Sequence, residues 1–149
     1  MPAFLTALLR AFLVWLVIMT TESVHGALRR LLLAPDVDFA LRQLSVVIGV
    51  VIIVAITWLF LSYIRIRSAR AALAVGGLWV MLTLAFEVAL GRLTGLGWER
   101  ILADYDLLHG GLMPLGLLAM GLTPWAVCQL QARRSLSLRS PTSMPRSAS

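Results

Sequence analysis

Long uninterrupted apolar runs dominate the chain, and polar residues fall mainly between them. Leu44 to Ile64 contains no charge and is rich in Val and Ile. In water that β-branching would favour a strand, but a run this long in lipid predicts a helix, which satisfies every backbone polar group internally. Ala71 to Leu90 is a second span, interrupted only by Glu87. Gly110 to Ala132 is a third, with Pro114 in its first turns, Pro124 deeper and positioned to kink it, and Arg133 and Arg134 at its end. The first segment predicts a span over Ala11 to Leu33, with Arg10 at one interface and Arg29-Arg30 at the other. A shift to Ala3–Thr20 would instead bury Arg10, at a cost of several kcal/mol that snorkelling reduces.

A helix needs about 20 mostly apolar residues to cross a bilayer. The pattern therefore predicts an all-α, four-helix transmembrane bundle over residues 1–134, and Glu residues in the first and third helices hint at two hairpins. Residues 135–149 carry six Ser, two Pro and two Arg and predict a disordered tail. No charge precedes the first apolar stretch and Arg10 interrupts it, so a retained helix is expected there rather than a cleaved signal.

Composition agrees with this reading. The chain is 60% hydrophobic and 13% charged, with a mean hydropathy of +0.90. A soluble fold of this length lacks the interior to hide so much apolar surface. Strand-like alternation is absent, which argues against a transmembrane barrel. All thirteen basic residues are Arg, and Lys and Asn are missing, a bias that suits a GC-rich bacterial genome. The Arg residues flank the apolar runs and form no single stripe, so they fit membrane topology and not nucleic-acid binding. A lone Cys128 excludes an internal disulfide.

Four spans put the N-terminus, the 65–70 loop and the C-terminal tail on one side. That side holds Arg65, Arg67, Arg70, Arg133, Arg134, Arg139 and Arg146, joined by Arg10, with no acid. The other holds Arg29, Arg30, Arg42, Arg92 and Arg100, balanced by Asp36, Asp38, Glu99, Asp104 and Asp106. The positive-inside rule then predicts both termini cytoplasmic and both acidic loops external, in a multi-pass protein of a bacterial inner membrane. Trp98 at the outer end and Trp58, Tyr63 and Trp125 near the inner one fit aromatic belts. In the outer loop, Trp98 to Ala103 fits a short interfacial helix. Asp104 and Asp106 fit capping and solvation before the last helix, and Asp36 and Asp38 fit caps for the second.

The rare polar groups inside the spans carry the candidate chemistry. Glu87 lies about 7.5 Å below Arg92, and Glu22 about 10 Å below Arg29. His25 is one turn above Glu22, and His109 stands where the last helix enters. Glu22, His25, Arg29, Glu87, Arg92 and His109 thus form a candidate polar cluster in the outer leaflet, turned inward because each is costly to leave against lipid. Gly76, Val80, Thr83, Glu87 and Gly91 share one helical face, and His109, Met113, Gly116, Met120 and Thr123 another, both expected to pack inward.

Three readings follow. The cluster is a set of structural ion pairs; or it is a small-molecule, ion or proton site open to the outside; or His25 and His109, with Met113 and Met120, ligate haem or a transition metal in a membrane redox protein. No dedicated metal site and no cofactor are expected, because two isolated His and a Met stripe more often pack. No G-x-S-x-G, P-loop, H-E-x-x-H or dinucleotide fingerprint is present, so no catalytic residue is assigned and no enzyme is expected. Gly91-x-x-x-Gly95 is a weak dimerisation signal. Expected partners are the bilayer and either other membrane subunits or further copies of the chain; nucleic acid is not expected.

The stretches ESVHGALRRLL (Glu22 to Leu32), TLAFEVALGR (Thr83 to Arg92) and DYDLLHGGLMPLG (Asp104 to Gly116) resemble those of small uncharacterised bacterial inner-membrane proteins. The resemblance implies a location and a four-helix fold, and it carries no activity. The expected role is therefore a non-enzymatic accessory subunit or minor transport component.

Overall fold

The computed structural model describes residues 3–32, 39–66, 68–109 and 111–137. Every described element is a helix: α1 (Ala3–Leu32), α2 (Phe39–Ile64), α3 (Ala69–Leu93), the short α4 (Trp98–Ala103), a 3-10 turn (Leu107–His109) and α5 (Met113–Ser137). Four of them, over Leu5–Leu28, Leu44–Ile64, Ala69–Leu93 and Met113–Ser135, are long and apolar enough to cross a membrane. Between 22 and 28% of each is buried within the bundle. Most of the remaining surface is apolar, including Leu9, Leu13, Val47, Val51, Leu59, Met81 and Leu118. Apolar inside and out, the bundle points to a multi-pass membrane protein.

α1 begins at Ala3, ahead of the Ala11 expected from the charge pattern, so Arg10 lies inside the helix. It is accommodated by reaching α2: Arg10 Nη1 donates to the Tyr63 carbonyl at 3.2 Å, and its guanidinium lies 5.3 Å from the Tyr63 ring centroid. At the same end of the bundle, Arg134 lies 5.8 Å from the Trp58 ring and Gln131 donates to the Trp58 carbonyl at 3.2 Å. Asp36, Asp38, Gly110 and the tail beyond Ser137 lie outside the described residues.

α1 packs on α2, α2 on α5 and α5 most extensively on α3; α1 and α3 meet less closely. The α3–α5 approach depends on glycine. A Cβ on Gly76 would overlap the Gly121 carbonyl, so the two backbones touch there. The wider α1–α3 gap is bridged by two tryptophans pointing in opposite senses. Trp15 Nε1 of α1 donates to Thr83 Oγ1 of α3 at 3.0 Å, and Trp79 Nε1 of α3 donates to the Ala11 carbonyl of α1 at 2.9 Å. Trp79, Ile18, Val14 and Val127 are almost fully enclosed.

α3 ends in a Schellman motif: Leu96 N–H donates to the Gly91 carbonyl and Gly95 N–H to that of Arg92. Gly95 holds φ +79, a conformation that costs a Cβ-bearing residue about 1 kcal/mol. Gly95→Ala is therefore expected to lower the stability of purified protein by about that amount in a thermal melt, and an unchanged melt would contradict this cap. The motif folds α4 back so that Ile101 meets Gly91, where a Cβ would lie 2.9 Å from Ile101 Cδ1. Gly91 thus serves a contact within the chain.

Candidate functional site

The later turns of α1 and α3, the first turns of α5 and the middle of α2 line a half-open cavity of about 380 Å3. Its lining includes Glu22 from α1, Ile53 from α2, Phe86 and Glu87 from α3, and Met113 and Met120 from α5. Of the ionisable residues described there, both are carboxylic acids. The helical phase explains the placement. Thr83 and Glu87 are one turn apart on the α3 face that also buries Gly76 and Gly91. Met113, Gly116 and Met120 form the matching stripe on α5.

Glu22 leans across to α2. A Cβ on Gly49 would lie 2.9 Å from Glu22 Oε2, so the glycine leaves room for the carboxylate. The same oxygen lies 3.6 Å from His25 Nδ1, one turn along α1. Glu22 Oε1 is enclosed and has no hydrogen-bond partner among the described residues. The cavity floor is polarised by Thr83. Its hydroxyl receives the Trp15 indole proton and lies 3.1 Å from Met120 Sδ and 3.6 Å from Met19 Sδ. With one proton, the hydroxyl donates to one sulfur at a time, and the shorter distance favours Met120.

A second, wider hollow of about 760 Å3 adjoins this cavity and shares Glu87, Leu90 and Met113 with it. α4 and the following loop form its rim through Arg100, Asp104 and Tyr105. The rim is self-braced. Arg100 donates to Asp104 Oδ1 at 2.9 Å, and this contact raises the already high guanidinium pKa. Met113 N–H donates to the Asp104 carbonyl, and a Cβ on Gly111 would stand 2.6 Å from that carbonyl oxygen. The Tyr105 hydroxyl is enclosed with no hydrogen-bond partner among the described residues. Burial first, then the Glu87 and Asp104 carboxylates, push its pKa above the ordinary phenol value, so at neutral pH it is an uncharged donor beside the cavity.

The six residues expected to cluster are thus divided. Glu22 and His25 meet, and Glu22 and Glu87 line one cavity. Arg92 turns to its own cap, donating to the Leu96 carbonyl at 3.3 Å and lying 5.2 Å from the Trp98 ring. His109 is in the 3-10 turn, largely exposed, with Nδ1 2.6 Å from Asp106 Oδ2. The Arg29 side chain lies outside the described residues. Of the weak metal candidates, Met113 and Met120 line the cavity, while His25 and His109 each contact a different carboxylate. Among the described residues, no three of His, Cys, Asp or Glu gather as a metal site would require.

Sequence reasoning missed Gly49, Trp15, Trp79 and Tyr105. A signal existed for the tryptophans: an indole N–H far from either interface needs an acceptor inside the bundle. Gly49 and Tyr105 act through contacts between elements, which no periodicity reveals. No known protein family, curated protein or solved structure matches this chain.

Proposed function

We propose that this chain is a non-enzymatic, multi-pass protein of a bacterial inner membrane, with both termini in the cytoplasm. It binds a small ligand in the four-helix cavity, reached from the external side through the wider hollow, as an accessory subunit or minor component of transport. The observation that carries this reading is the placement of Glu22 and Glu87, from two different helices, on one half-open cavity that adjoins a second, larger hollow. Carboxylates are costly to hold among apolar helices, and such groups are functional candidates by default. The orientation rests on charge. Arg10, Arg65, Arg70, Arg133 and Arg134 lie at one end of the bundle, and the α4 loop with Glu99, Asp104 and Asp106 lies at the other.

Thiol labelling in intact cells tests both parts. In a Cys128→Ala background, Asp106→Cys should react with a membrane-impermeant maleimide added outside, and Ser68→Cys only after the membrane is opened. Met113→Cys, on the wall shared by the two hollows, should react with a small external methanethiosulfonate. Labelling of Ser68→Cys from outside would reverse the orientation. An inert Met113→Cys would remove the external route to the cavity.

A further inference from the structure

We infer that α2 and the end of α5 together hold one anionic phospholipid, with an acyl chain along α2 and the headgroup phosphate on Arg134. Val50, Val51, Val54, Ala55, Trp58 and Leu59 line an open, wholly uncharged groove of about 440 Å3 on α2. From Val50 to Trp58 the groove follows about 12 Å of helix, most of the roughly 15 Å of hydrocarbon in one leaflet. Its head is fixed from α5. Arg134 lies 5.8 Å from the Trp58 ring centroid, and Gln131, one turn earlier, donates to the Trp58 carbonyl at 3.2 Å. This surface lies apart from the Glu22–Glu87 cavity, and its chemistry is the same whichever end of the bundle faces the cytoplasm.

Charge selects the headgroup. None of the chain's seven acids falls within α2 or α5. Arg133 and Arg134 are both exposed, and among the described residues neither has a carboxylate partner. Basic side chains at a membrane surface attract anionic lipid. A guanidinium over an aromatic ring keeps its in-plane N–H donors available, a fork that matches two phosphate oxygens. A second copy of the chain suits the groove less well. Copies inserted in one orientation bring Arg134 to the same depth, so like charges would meet with no acid from α2 or α5 between them. A free phosphate would satisfy the arginines and leave the groove unfilled. An anionic lipid answers both demands.

Native mass spectrometry of the full-length protein in detergent, titrated with phosphatidylglycerol and phosphatidylcholine of identical chains, tests the assignment. One phosphatidylglycerol is expected to bind about tenfold more tightly than phosphatidylcholine. Arg134→Gln should reduce that preference to about twofold or less. Arg70→Gln, exposed at the same end but off the groove, should change it by less than about twofold. Ala55→Trp keeps both arginines and fills the groove, so it should weaken both lipids by about tenfold. Glycerol 3-phosphate, the headgroup anion without chains, should not bind at concentrations where the lipid saturates. Circular dichroism and size-exclusion profiles matching the unmutated protein establish that each variant is folded. Equal affinity for the two lipids, an unchanged preference in folded Arg134→Gln, or an equal loss in Arg70→Gln would each overturn the site. Glycerol 3-phosphate binding as tightly as the lipid, or full lipid affinity in folded Ala55→Trp, would overturn it by removing the groove. A dimer that excludes phosphatidylglycerol and falls apart with Ala55→Trp would give the groove to a second copy instead.

Discussion

Gly76→Val should unfold the bundle readily, with a stability loss of at least about 3 kcal/mol, while Gly77→Val one residue along should fall within about 0.5 kcal/mol of the unmutated protein. The contrast follows from the backbone alone. A Cβ on Gly76 runs into the Gly121 carbonyl, and a carbonyl in mid-helix cannot step aside without moving α5. Gly77 is exposed, and a Cβ there meets nothing within 4 Å. Where lipid surrounds the helices, water exclusion does little to hold them together, and close backbone approach takes over. Separating α3 from α5 therefore removes the largest interface of the molecule. Denaturant titration in detergent followed by circular dichroism checks the pair, and equal stabilities would mean that the close approach is not required.

Trp79→Ala should cost about 3–5 kcal/mol, and Trp79→Phe about 1–2 kcal/mol. The indole is fully enclosed against a core that includes Ala11, Val14, Trp15 and Ile18. Removing it leaves a void that its neighbours can only partly fill. Phenylalanine keeps most of the ring volume but cannot donate to the Ala11 carbonyl, so the difference between the variants separates packing from the hydrogen bond. Thermal unfolding of the purified variants measures both. A loss below about 1 kcal/mol for the alanine variant would mean that the α1–α3 gap closes without this residue.

The four long helices were legible because their signal is additive: twenty apolar residues in a row mean a helix in lipid whatever their individual preferences. The second apolar window runs from Leu44 to Ile64 within α2, and Trp98–Ala103 forms a short helix. The start of α1 was harder to read. Arg10 registers as a boundary by charge, yet a long side chain can satisfy that charge sideways, and here it does so on Tyr63.

The candidate site was legible in part for a related reason. Depth and helical phase are properties of one helix, and they place Glu22 and Glu87 at similar levels on inward faces. Which groups then meet depends on rotation and on loops. Arg92 is only five residues beyond Glu87, but the Schellman turn supplies it with the Leu96 carbonyl and the Trp98 ring. His109 was assigned to the mouth of the last helix; a 3-10 turn intervenes and Asp106 holds the ring at the surface. Neither turn has a period, so neither shows in the hydrophobic pattern.

The pairing of α1 with α2 and of α3 with α5 bears on how the molecule is made. Each pair follows chain order, apart from the small α4, so each helix finds a principal neighbour in the segment synthesised next to it. The first pair can dock while the second is still on the ribosome. The α2–α5 and α1–α3 contacts must wait for the second half. Thr83, Trp79 and Glu87 all belong to that later half, so the tryptophan bridges and the two-carboxylate cavity can form only when the halves close on each other.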